Sequence, residues 1–263
     1  MKKAETRNIV ASESVTLKER SYDVIGTKLL ATDYDSLVDD LIRSWRTGES
    51  RTLSFCNTFM VARRRHDPEY RAITNVCDTN LPDGMPLVWC MNFQGAGLRD
   101  RLYGPIFMER FVRRSPAAIQ HYFLGGDTEC LRQLCENVKT LNPDFQLVGA
   151  HHGYFGAEEE PRILEELRTH SPDMVWVGMG TPKQDEWVSR HREHFERAIL
   201  LPVGSSFEIL AGTKTLPPMF LQRAGLTWLH RLCREPRRLG ARYLKWNSLF
   251  LYYLFRNALL GRR

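Results

Sequence analysis

The sequence predicts an α/β fold, a Rossmann-like parallel-sheet domain carrying a helical, basic C-terminal appendage. Three observations predict it. Between residues 121 and 203, short runs rich in β-branched and aromatic residues alternate with amphipathic stretches, and strands alternating with helices of roughly 10–15 residues indicate βαβ units. Several of these runs end in glycine-bearing turns, Gly125-Gly126, Gly178-Met179-Gly180 and Gly204-Ser205-Ser206, where parallel sheets bind their ligands. After Leu216-Pro217-Pro218 the chain changes to helices dense in arginine and aromatic residues.

The elements follow in order. Residues 1–22 are polar and aperiodic and are expected to form a disordered tail. Structure opens at Val24-Ile25-Gly26 and Lys28-Leu29-Leu30, followed by an amphipathic helix (Leu37, Leu41, Ile42, Trp45) that ends near Gly48. Residues 53–55 read as a strand and 60–76 as mainly helical with a break before Pro68. Pro82-Asp83-Gly84 forms a turn before Leu87-Val88-Trp89. The second alternation runs strand 121–124, helix 129–141, strand 146–149, helix 158–170, strand 174–177, helix 183–194 and strand 198–203. The α/β domain is therefore placed at 23–213 and the appendage at 214–263.

A chain of 263 residues, 43% hydrophobic, excludes the disordered and fibrous classes. The net charge of +6 is unevenly placed: residues 214–263 hold eleven Lys/Arg and a single acid, Glu235, so the rest is mildly acidic. An anionic partner at the C-terminus is implied, whether nucleic acid, phosphorylated ligand or membrane. Cys56, Cys77, Cys90, Cys130, Cys135 and Cys233 form no CxxC pair and read as reduced thiols. The N-terminus starts with lysines but has no apolar region behind them, so no signal peptide is expected and a cytoplasmic location is. The charge-free apolar stretch 246–255 is far short of the roughly 20 residues that span a bilayer. It is long enough to lie on one.

Several motifs carry candidate chemistry. In Gly178-Met179-Gly180-Thr181-Pro182-Lys183-Gln184-Asp185 the glycines open the backbone to a ligand, and Lys183 at a helix start favours phosphate. Gln184 suits a nucleotide or sugar. Lys183 at the third glycine position breaks a dinucleotide fingerprint, which disfavours an NAD-dependent oxidoreductase, and GK[ST] is missing for a P-loop. An ordinary βα turn is the plainer alternative. Asp83, between Pro82 and Pro86, reads either as a general base or as the N-cap of the next helix. Asp33-Tyr34-Asp35 matches a metal-holding DxD string, but its place favours a cap and a first-turn dipole partner. His151-His152 and His191 to His194 lack ligand spacing, so no metal site is expected. In the tail, Trp228, Arg231, Arg237, Arg238, Arg242, Lys245 and Trp246 precede an aromatic-aliphatic run. This arrangement fits a membrane interface better than nucleic acid, with a helix packed on the body as the plainer reading.

In order, PDGMPLVW, RLYG, FLGG, VGAHHGYF, VGMGTPKQDEW, VGSSFEILAGTKTLPP and GLTWLHRLCREPRR resemble the WecG/TagA/CpsF glycosyltransferases, family 26, from about residue 24 to 245. The resemblance implies an inverting transferase that moves a hexose, of glucose or N-acetylmannosamine type, from a UDP-sugar to a polyprenyl-pyrophosphate-linked saccharide. It implies exopolysaccharide or other cell-surface polysaccharide synthesis at the inner face of the cytoplasmic membrane, with peripheral attachment through the appendage. On this resemblance Asp83 matches the catalytic base, Gln184 the PKQ glutamine, Asn57 the T-x-N asparagine and Arg101 the arginine before the family glycine. The substrate-binding set expected from residues and resemblance together is Asn57, Thr58, Arg101, Gly125, Gly126, Gly178, Gly180, Lys183, Gln184, Arg231, Arg237 and Arg238. No metal cofactor is expected; the partners are UDP-sugar, lipid-linked acceptor and anionic membrane rather than nucleic acid. The chain departs from the family at Phe55, where the threonine's role is either lost or taken over by Thr58, and at Ile106, Asp185, Glu208 and Thr227; Ile106 and Thr227 lose an acid, while Asp185 and Glu208 keep the charge. A non-catalytic nucleotide- or RNA-binding module using the basic tail is the rival reading.

Overall fold

The computed structural model describes residues 20–260, apart from the side chain of Arg238. The tail expected over 1–22 lies outside the described residues except for its last three, of which Ser21 and Tyr22 already belong to a strand. The hairpin β1 (Ser21–Val24) and β2 (Thr27–Leu30) leads into α1 (Tyr34–Thr47). Asp33 caps α1 by accepting from the Ser36 N–H, and Gly48 ends it in the left-handed region. There follow β3 (Arg51–Cys56), α2 (Thr58–His66), α3 (Pro68–Thr74), β4 (Thr79–Pro82), α4 (Met85–Phe93) and α5 (Gly104–Arg114). The alternation continues with β5 (Gln120–Gly125), α6 (Thr128–Leu141), β6 (Gln146–His151), α7 (Glu160–His170), β7 (Met174–Gly178), α8 (Lys183–His191), β8 (Ile199–Pro202) and α9 (Ser206–Leu210). The chain closes with α10 (Met219–Arg223), α11 (Thr227–Arg234) and α12 (Pro236–Leu259).

Six strands form one sheet in the order β4-β3-β8-β7-β5-β6, every pair parallel. A parallel sheet must be covered on both faces, because its βαβ crossovers lay helices on each. Alternate residues accordingly divide between two clusters: Phe123, Trp176 and Leu201 join Phe107, Phe111 and Phe207 on one face, while Tyr122, Val175 and Leu200 join Ile163 and Trp187 on the other. Each fully buried side chain of this size contributes about 1.5–3 kcal/mol. A third cluster joins the hairpin, α2 and α4 to Phe250 of α12.

Two elements go beyond the sequence expectations. β4 is a four-residue strand ending in proline, and Pro82 is tolerated because it closes an edge strand. α5 begins at the RLYG glycine and packs Phe107, Met108, Phe111 and Val112 into the core.

Candidate active site

β3 and β4 pair with Cys56 opposite Pro82, so Asn57 and Asp83 leave the sheet side by side. The Asp83 N–H donates to the Cys56 carbonyl at 2.7 Å, and the Leu102 N–H to the Pro82 carbonyl at 2.8 Å. Asp83 does not cap α4: the N-cap is Gly84, and no side chain bonds there. Its Oδ1 is buried and has no hydrogen-bond partner among the described residues. Burial pushes the carboxyl up to about 7, while Arg101, Arg231 and the Gly104 backbone N–H pull it down. A carboxylate poised near neutrality with an unengaged oxygen meets the requirements of a general base.

The groups around Asp83 come from distant parts of the chain. Arg101 is buried, donates through Nη2 to Thr227 Oγ1 at 3.1 Å, and lies 4.1 Å over the Tyr103 ring. Arg231, from α11, donates to Ser205 Oγ at 2.9 Å in the turn after β8. Tyr34, at the start of α1, accepts the Tyr103 N–H on its hydroxyl at 3.0 Å and so braces the loop that supplies Gly104. Gly104 is needed because a Cβ there would come within 3.1 Å of Ser206 Oγ and 3.4 Å of the Val203 carbonyl. The sequence sets Ser205 in a glycine-bearing turn and Tyr34 inside a DxD string, but neither setting reveals the contact its hydroxyl makes. The Tyr103 backbone N–H that bonds Tyr34 lies 69 residues away, and the Arg231 side chain that bonds Ser205 lies 26 away.

The other expected residues have the following places. Asn57 caps α2 by accepting from the Met60 N–H at 3.1 Å. Thr58 donates to Asn247 of α12 at 3.2 Å, and Phe55 is buried against Phe107 at 5.2 Å between centroids. Gly125 and Gly178 lie at a close approach of β5 and β7, where a Cβ on Gly125 would stand 2.4 Å from the Gly178 carbonyl carbon. The Gly126 N–H donates to the Gly178 carbonyl at 3.1 Å, and the Gly180 N–H to Gln184 Oε1 at 3.1 Å. Gln184 is buried beneath Gly204, tying the turns after β7 and β8 together. Lys183 Nζ donates at 2.7 Å to the carbonyl of Gly153, whose own N–H bonds the Gly126 carbonyl, and stands 5.0 Å over Phe155, in a shallow cavity with Glu160, Glu186 and Arg190. Asp185 is buried and accepts the Tyr70 hydroxyl at 2.7 Å; burial pushes its carboxyl up to about 6. Arg237 is exposed in the first turn of α12, and the Arg238 side chain lies outside the described residues.

Asp33 is the cap of α1, and Asp35 pairs with Arg110 and Arg114. Among the described residues no group of three or more His, Cys, Asp or Glu is placed to hold a metal ion.

A parallel α/β sheet whose carboxyl ends gather a near-neutral carboxyl, the buried Arg101, the half-buried Arg231 and glycine turns has the layout in which enzymes of this fold class place their ligands. The chain belongs to the WecG/TagA/CpsF family of glycosyl transferases, whose family model matches residues 22–263. It is a glycosyltransferase. A Staphylococcus aureus (strain MW2) protein named N-acetylglucosaminyldiphosphoundecaprenol N-acetyl-beta-D-mannosaminyltransferase is 26% identical over 246 residues, 90% of this chain and 95% of that protein. A Bacillus spizizenii (strain W23) protein of the same name is 27% identical over 173 residues, 65% of this chain and 66% of that protein's length.

Proposed function

We propose that the chain is an inverting transferase that moves a hexose from a UDP-sugar to a polyprenyl-diphosphate-linked saccharide in cell-surface polysaccharide synthesis. The names of the relatives favour an N-acetylmannosamine donor over a glucose one. The observation that carries the mechanism is Asp83, with its unengaged Oδ1 between Arg101 and Arg231. The acceptor hydroxyl oxygen attacks the anomeric carbon as its proton passes to Asp83. The bond from that carbon to the diphosphate oxygen breaks on the opposite side, and UDP leaves with the electron pair. Arg101, Arg231 and the turns at Gly180 and Gly204 are the groups that would hold the diphosphate.

Attachment to the anionic inner face of the cytoplasmic membrane is part of this reading. α12 is apolar on two sides: Trp246, Leu249, Phe250 and Tyr253 pack inward, while Leu244, Leu251, Phe255 and Leu259 form an exposed stripe at helical spacing. Basic residues precede and follow the stripe, which suits a helix lying at headgroup depth. No described helix is long and apolar enough to cross a membrane.

The test is a panel of UDP-sugars offered with a short-chain polyprenyl-diphosphate N-acetylglucosamine, scored by UDP release and product mass. Transfer from UDP-N-acetylmannosamine at least about tenfold above UDP-glucose is expected. No transfer from any donor, together with a salt-sensitive shift of RNA, would replace this reading with the binding module.

A further inference from the structure

α4 and the ground beside it form an apolar surface that the transferase chemistry does not use. Residues 84–98 hold no charged side chain, and Arg99 follows them. Leu87, Val88 and Met91 of α4 are buried, but Trp89 is 52% exposed and Phe93, one turn on, 94%. The Trp89 ring lies against Gly225, where a Cβ would come within 2.9 Å of it. Gly225 joins α10, with Met219 and Phe220 exposed, to α11, with Trp228 exposed. Residues 215–234 carry Arg223, Arg231 and Arg234 and no acid, and Arg99, Arg223 and Arg234 are exposed. Exposed aromatic side chains bordered by Arg99, Arg223 and Arg234, against Asp100 and the Lys214-facing Glu235 at the edges, match the interface of an anionic bilayer, where Trp sits at headgroup depth.

We propose that this α4–α10 surface docks on an anionic lipid surface, separately from the outward stripe of α12. The purpose of such docking rests on the transferase reading: α4 starts just after Asp83, so seating Phe93 and Trp89 in the interface brings the carboxyl to the depth of a lipid-borne diphosphate. Two contacts, α4 and α12, also fix the tilt of the molecule, which one helix alone leaves open.

The test places an environment-sensitive fluorophore at position 93 through Phe93→Cys, in a background with the exposed Cys233 replaced by serine. The same label at the exposed Glu136→Cys of α6 is the control. Vesicles of phosphatidylcholine with phosphatidylglycerol should shift the emission at position 93 to the blue and leave the control unchanged. Phe93→Ser, which disturbs no core, should weaken partition to these vesicles about fivefold. An unshifted label on protein that has sedimented with the vesicles overturns the proposal, as does a concentration-dependent shift without lipid, which assigns the surface to self-association. A blue shift in a protein that transfers no sugar upholds the surface and removes the transferase reading. Transfer to lipid-embedded acceptor with no shift does the reverse.

Discussion

Asp83 couples activity to stability. Its carboxyl is raised to about 7 from an ordinary value near 3.8, so between these values the folded chain binds a proton that the unfolded chain does not. Stability from this group is therefore full at low pH and falls as pH rises through about 7, whereas base catalysis needs the ionised form and rises over the same span. Asp83→Asn is expected to melt higher than the parent at pH 8, with the gap closing toward pH 4; a lower midpoint at pH 8 would refute the buried-carboxyl account. Thr227 offers a second test, since its hydroxyl accepts from Arg101. Thr227→Glu would place a carboxylate on that guanidinium and weaken its pull on Asp83, so the acid limb of the pH–kcat/KM profile should move upward. Tyr34→Phe removes the acceptor of the Tyr103 N–H and should lower kcat more than it raises KM, the mark of a residue that positions the base through its loop. The turn that carries Asp83 was legible in the sequence because two prolines frame it, while the choice between base and N-cap was not, and the base role rests on the family resemblance. The roles of Tyr34, Ser205 and Thr227 were not legible, because they depend on contacts that only the closed sheet creates.

Among the elements, α12 separates folding from docking. Its inner face clamps α2: Arg242 lies 3.7 Å over Phe59, Trp246 meets the same ring edge-on at 5.6 Å, and Tyr253 shares a hydrogen bond with His66 at 3.0 Å. Phe250→Ala on that face should cost about 3–5 kcal/mol, measured by urea denaturation. Replacing Leu251, Phe255 and Leu259 on the outer face by serine should leave the urea midpoint near the parent's and lower vesicle sedimentation at least about tenfold. A truncation at residue 244 would mix the two effects, because it also removes Phe250 from the core. The strands and helices of residues 120–203 were legible because β-branched runs and amphipathic periods set them apart. α5 has an equally regular period but begins at Gly104-Pro105, which the sequence presents as a turn. The appendage reads as membrane-seeking and as body-packed; α12 packs on the body through one face, and its exposed apolar stripe is the face proposed to meet the membrane.

At the scale of the whole molecule, the basic excess after residue 213 is divided between two tasks. Arg231 turns inward to the turn after β8, and Arg223, Arg234 and Arg237 remain exposed. The exposed set should make vesicle binding fall with added salt, while the buried Arg101 and half-buried Arg231 should leave donor binding less sensitive. Lys183, whose helix-start position reads as phosphate-binding, spends one of its three donors on the Gly153 carbonyl from the loop after β6. The measurement that bears most directly on the account is turnover of Asp83→Asn with the donor and acceptor on which the parent works, beside donor affinity by calorimetry. With Asp83 as the base, kcat should fall about 10²–10⁴-fold and UDP-sugar affinity should stay nearly unchanged. Retained turnover would contradict that role.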